Sequence, residues 1–101
     1  MEIRTLTRAE EEIMRILWQL KKAFVKDILA EMPEPKPAYN TVSTIIRILE
    51  KKEVVGYNAY GKTHEYYPLI TEEEYKRFEV QNLMSNYFGN SLPNLVSFFV
   101  K

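Results

Sequence analysis

These 101 residues contain no cysteine. That excludes a disulfide framework, a thiolate-bound metal and a cysteine nucleophile, and it fits a reducing compartment. Glycine (three) and proline (five) are too scarce for a fibrous or low-complexity chain. Charge of one sign is missing as well: 14 basic residues stand against 14 acidic ones, for a net of zero. No whole-chain basic excess therefore announces a nucleic-acid partner. No apolar run is long enough to span a bilayer, and the N-terminus has no signal-type apolar region, so no membrane partner is expected. What is present is 46% hydrophobic, 28% charged and 13% aromatic. This is the composition of one soluble, cytoplasmic domain, small enough that a second copy could supply part of its buried surface.

Thr7 to Glu10 reads as a capping box, with Glu10, Glu11 and Glu12 at the positive end of a helix. Ile13, Ile16, Leu17 and Leu20 follow helical spacing, so the first helix runs from about Thr7 to Lys21. Met14 and Trp18 form a second apolar row that faces another element or another subunit. Ala23-Phe24-Val25 is a short apolar link or stub of strand. Val25, Ile28, Leu29 and Met32 make a second short helical stripe, which Pro33, Pro35 and Pro37 end.

The third helix spans Tyr39 to Lys52, with Val42, Ile45, Ile46 and Leu49 inward. Its opposite face is Asn40, Thr44, Arg47 and Lys51, flanked by Ser43 and Ile48. Either Asn40 or Ala38 suits its start. Val54 to Tyr60 and Thr63 to Tyr67 are strand-like runs around Gly61-Lys62, a type II′ hairpin signal. That register sets Tyr57 opposite Tyr66. Thr71 and Glu74 form a second capping box, and the helix after it stops at Gly89-Asn90. Leu92, Leu95, Val96 and Phe99 give a last apolar stripe.

Three helices followed by a two-stranded wing is the winged helix-turn-helix arrangement, a mainly α (α+β) fold. Helix 3 is then the recognition helix. Short polar side chains at its start let backbone and base edges come close, and cations further along meet phosphates. Asn40, Thr41, Ser43 and Thr44 are accordingly the candidate base readers. Arg47, Lys51 and Lys52, with Lys62 at the hairpin tip, are the candidate backbone contacts. The zero net charge divides unevenly: residues 15–62 hold nine basic and five acidic residues, a net of +4, and the remainder carries −4. The domain division is 1–70 for the DNA-binding unit and 71–101 for a helical dimerisation segment. That segment's Leu83, Tyr87, Phe88, Leu92, Leu95, Val96 and Phe99 would meet a second copy.

The stretches "LTRAEEEIMRILW", "YNTVSTIIRILEKKEVV" and "YGKTHEYYPLITEEEY", in that order, resemble the penicillinase-repressor (BlaI/MecI-type) transcriptional regulators over nearly the whole chain. The resemblance implies a homodimeric repressor on an inverted-repeat operator of double-stranded DNA. It places Thr41, Ser43 and Thr44 where the family reads bases. Three departures stand out. Glu53 occupies a position where the family usually has Gly, so either Glu53 adopts a left-handed cap or the cap shifts and Gly56 takes the turn. Ile48 occupies a position that is commonly Arg. Family members also usually continue past Lys101, so the dimerisation segment is read as shortened. Sensor-triggered cleavage in the family falls near the position of Phe98-Phe99, but the usual Asn is absent and cleavage is not carried over. Nor is the cysteine motif of the copper-responsive branch present.

Other function classes find little support. His64 has no ligand partners at suitable spacing and reads as a plain strand residue. The Glu10–Glu12 and Glu72–Glu74 runs face no nucleophile and read as helix-dipole partners. No enzyme activity, metal or cofactor is expected. The alternative of a different class is a winged-helix protein–protein interaction module without DNA contact, motivated by the zero net charge and by Ile48 on the DNA-facing side.

Overall fold

The computed structural model describes residues 5–100. Its elements run α1 (Arg8–Leu20), α2 (Val25–Ala30), α3 (Tyr39–Lys51), β1 (Val55–Tyr60), β2 (Thr63–Pro68), α4 (Glu72–Tyr87) and α5 (Leu92–Val100). This is the expected winged helix-turn-helix, with two further helices after the wing.

Local chemistry sets most of the boundaries. The Thr7 hydroxyl accepts the Glu10 N–H at 3.2 Å, and Glu10 Oε1 accepts the Thr7 N–H at 2.8 Å. Together they satisfy two of the amides that a helix start leaves unpaired. The same reciprocal pair recurs at Thr71 and Glu74, at 3.0 and 2.9 Å. Helix α2 begins without a side-chain cap from Phe24, but Asp27 Oδ2 accepts the Phe24 N–H at 3.0 Å. At its other end the Lys36 ammonium donates to the carbonyls of Leu29, Ala30 and Met32 at 3.1, 3.0 and 2.7 Å. A cation there satisfies orphan carbonyls and suits the negative end of the helix dipole. Helix α3 starts from Ala38 rather than Asn40.

The C-terminus of α3 resolves the question raised by Glu53. Its φ is 64°, in the left-handed region. The Glu53 N–H donates to the Glu50 carbonyl at 3.0 Å and the Val54 N–H to the Leu49 carbonyl at 3.2 Å. This is a complete Schellman motif with Val54 and Leu49 both fully buried, the accompanying apolar contact. The turn therefore does not shift to Gly56. That glycine lies within β1 opposite Tyr67, whose ring would be 2.9 Å from an added Cβ.

The core is one cluster under α1, α2, α3 and the base of the wing. Ile13, Met14, Leu17, Ile28, Val42, Ile46, Leu49 and Val54 are fully buried in it. Met14 thus faces other elements of this chain. So does Trp18, whose indole N–H donates to the Ile70 carbonyl at 2.9 Å and whose ring lies 5.9 Å from that of Tyr75. Tyr75 is buried; its hydroxyl donates to Glu11 at 2.9 Å and accepts the Leu6 N–H at 3.3 Å. The first turns of α4 are consequently locked onto α1. Beyond them α4 and α5 leave the core and touch each other through Phe88 and Phe98, at 5.7 Å. Among the described residues, no helix is long and apolar enough to cross a membrane.

Candidate nucleic-acid interface

Helix α3 presents its sequence-predicted outer face to solvent: Asn40, Thr44, Arg47 and Lys51 are all exposed, while Val42, Ile46 and Leu49 are buried. The four candidate base readers do not lie together. At about 100° per residue, Asn40 and Thr44 share the central exposed strip. Ser43 is turned to one side and half-buried, and Thr41 lies on the opposite flank with Ile48 and Lys52. Thr44 is further constrained, because its hydroxyl donates to the Asn40 carbonyl at 2.8 Å.

The wing is brought to this face by a short piece of backbone. Ala23 pairs with Tyr66: its N–H donates to the Tyr66 carbonyl at 2.9 Å, and the Tyr66 N–H returns to the Ala23 carbonyl at 2.8 Å. The link between α1 and α2 therefore acts as a third strand beside β2, reduced to one bridge. Phe24 adds a ring contact to Tyr60 at 6.0 Å. The hairpin has the expected register, with Tyr57 opposite Tyr66 and Tyr60 opposite Thr63. Gly61 has φ of 65° at the turn, as a type II′ first position needs. On the hairpin face Tyr57 stacks on His64 at 4.2 Å and 9°, the diagonal cross-strand neighbour. His64 and these tyrosines are thus held by packing within the wing.

A cleft of about 350 Å³ opens where the start of α2, the N-terminal half of α3 and the wing tip converge. Its walls include Lys26, Ser43, Arg47, Lys62 and His64, with Tyr39 at the rim. Cations from three separate elements therefore face one concavity, a geometry that focuses positive potential. At its floor, burial and the nearby Glu50 carboxylate push the Tyr66 phenol above its ordinary value, with Arg47 opposing. Lys26 and Tyr39 escaped the sequence reading, and His64 was read there as a plain strand residue. Nothing in the local pattern says that the first turn of α2 faces the wing, because that follows from the Ala23–Tyr66 bridge.

One backbone candidate is corrected. Lys52 does not stand free for phosphate: its ammonium lies 2.8 Å from Glu10 Oε1, with its side chain only 23% exposed. Burial pushes the Glu10 carboxyl up, but Lys52 and the Thr7 amide and hydroxyl outweigh this and hold it below its ordinary value. Lys52 ties α3 to the start of α1 instead. The dimerisation candidates split by exposure. Leu83, Tyr87, Leu92, Val96 and Phe99 are exposed, whereas Phe88 and Leu95 are half-buried. Among the described residues, no group of three His, Asp or Glu is placed to hold a metal ion.

Comparison with known proteins agrees with this geometry. The profile of the family described as Penicillinase repressor matches residues 6–101. The chain is 29% identical over 97 residues to the methicillin resistance regulatory protein MecI of Staphylococcus aureus (strain N315), covering 95% of this chain and 79% of that protein. It is 21% identical to the penicillinase repressor of Bacillus licheniformis, covering 99% of this chain and 79% of the relative. Among solved structures it is similar to the DNA binding domain of the repressor BlaI, with a TM-score of 0.63 and 24% identity over 73% of this chain and 92% of the other. It is also similar to the CopR repressor, with a TM-score of 0.55 and 34% identity over 66% of this chain and 99% of the other. The match over residues 6–101 shows that this chain belongs to the penicillinase-repressor family.

Proposed function

We propose that this protein is a sequence-specific DNA-binding transcriptional repressor that acts as a homodimer on an inverted-repeat operator. The observation that carries the reading is the convergence of Lys26, Arg47 and Lys62, from α2, α3 and the wing, around one cleft beside the exposed polar strip of α3. A duplex needs this pairing of phosphate contacts with a helix narrow enough to enter the major groove. Family membership supports the repressor role. A solved BlaI complex with a half-operator shares the fold, with a TM-score of 0.60.

In this reading residues 1–70 form the DNA-binding unit, onto which the first turns of α4 pack. Residues 71–101 are the dimerisation segment, with exposed Leu83, Tyr87, Leu92, Val96 and Phe99 meeting a second copy. Asn40 and Thr44 reach base edges; Lys26, Arg47, Lys51 and Lys62 hold phosphates. Selection of bound sequences from random duplex DNA tests the whole reading. A palindromic consensus, with half-sites about one helical turn or a multiple of it apart, is the expected result. No retention of any duplex at low salt would overturn it in favour of a protein-interaction module. Within a selected operator, Thr44→Ala relaxes sequence preference. Arg47→Ala weakens all sequences alike and lowers the salt slope by about 1.

A further inference from the structure

Helix α3 carries an apolar feature that hydrogen-bonded base reading leaves unused. Ile48 is 41% exposed, although isoleucine is among the residues most often buried. It stands one turn after Thr44, at the i, i+4 spacing that makes two side chains neighbours on a helix surface. A threonine hydroxyl has one proton, and that of Thr44 is committed to the Asn40 carbonyl at 2.8 Å. With its proton spent on the preceding turn, Oγ1 can only accept, and the Cγ2 methyl is the part of Thr44 that can meet an apolar partner. Thr44 and Ile48 therefore make a small apolar ledge, bordered by the exposed cations Arg47 and Lys51.

A ledge of this kind suits a partner that is anionic at its edges and offers an apolar group between them. In the major groove of DNA that group is the C5-methyl of thymine. Resting on the DNA-binding reading above, the geometry points to Thr44 and Ile48 as specificity residues that recognise thymine through its methyl group. The contact is apolar burial, so the base is distinguished from uracil as well as from cytosine. Thr44 contributes through its methyl and not through a hydrogen bond to the base.

The test replaces each thymidine of a selected operator, one at a time, by deoxyuridine, and titrates binding by gel shift at fixed salt. The parent protein is expected to lose roughly fourfold in affinity at one or two positions per half-site, the value of one buried methyl. Ile48→Ala or Thr44→Ala abolishes the uracil penalty at the position that side chain touches. Thr44→Val, which keeps the methyl and deletes the hydroxyl, retains both the affinity and the thymine preference of the parent. Both positions are exposed, and circular dichroism checks that the helix is intact. Equal binding of thymine and uracil everywhere, with an operator still selected, overturns the inference and leaves DNA binding standing. So does a penalty that survives both alanine variants, and Thr44→Val behaving like Thr44→Ala overturns the part assigned to Thr44. Failure to select any sequence overturns both readings.

Discussion

Glu53 and Lys52, adjacent at the end of α3, are under opposite constraints. Glu53 holds a left-handed conformation inside a Schellman motif, with φ of 64°. A residue with a Cβ loses roughly 1–2 kcal/mol there, part of which glycine returns as chain entropy. Glu53→Gly is therefore expected to stabilise the fold by about 0.5–1 kcal/mol. A thermal melt reads this as a rise of a few degrees, and an unchanged or lower midpoint would refute the strain argument. Lys52 is held in place by a buried carboxylate. Removing it as Lys52→Met leaves Glu10 buried without its cation and is expected to cost about 1–3 kcal/mol. Because Glu10 titrates below its ordinary value of 4.5, its stabilising contribution is fully present above that pH. It is lost as pH falls through the folded value. Denaturation over a pH series should show the gap between parent and Lys52→Met narrowing on the acid side; a constant gap would separate Lys52 from Glu10.

At the scale of elements, the wing is aimed by one bridge. Hairpin register came from alternation and from Gly61-Lys62, and both were legible in the chain. The angle of the hairpin to α3 came from Ala23 pairing with Tyr66, two hydrogen bonds between residues far apart in sequence. Ala23→Pro deletes one donor and restricts the backbone. It should loosen the wing with the α1–α3 core still folded. Hydrogen exchange is then expected to speed up in β1 and β2 and not at Leu49 or Ile46, and operator affinity should fall. Protection lost equally across the core would mean that the bridge holds the whole domain and not the wing alone.

For the whole molecule, the cations free to meet phosphate are fewer than the sequence count suggests. Of the nine basic residues in 15–62, Lys36 is spent on α2 carbonyls and Lys52 on Glu10. Lys26, Arg47, Lys51 and Lys62 remain exposed on or beside the cleft face. Four phosphate contacts correspond to a slope of log affinity against log salt of about −3.6 per subunit. A binding titration from low to physiological salt checks this, and a slope near zero would remove DNA as the partner. The most exposed large apolar side chains lie instead on α4 and α5. Tyr87 and Phe99 are 76% and 72% exposed, more than a freely solvated helical pair favours. Tyr87→Glu with Phe99→Glu is expected to shift sedimentation from dimer to monomer without changing the melting of the core. An unshifted dimer would move the interface elsewhere.

The sequence by itself determined what depends on near neighbours along the chain. Helix starts at Thr7 and Thr71, the inward stripe of α3, the hairpin register and the stop at Gly89 all follow from caps, periodicity and turn chemistry, which act over a few residues. The tertiary structure decided which polar side chains are free to act. Lys52 was indistinguishable from Lys51 until α1 brought Glu10 beside it, and Lys26 had no role until the Ala23 bridge carried the wing to α2. Glu53 was ambiguous for the same reason: the burial of Val54 against Leu49, and not its own preference, fixes its backbone. Whether a charge solvates, pairs or waits for a partner depends on what lies across space, and periodicity along one helix carries no record of that.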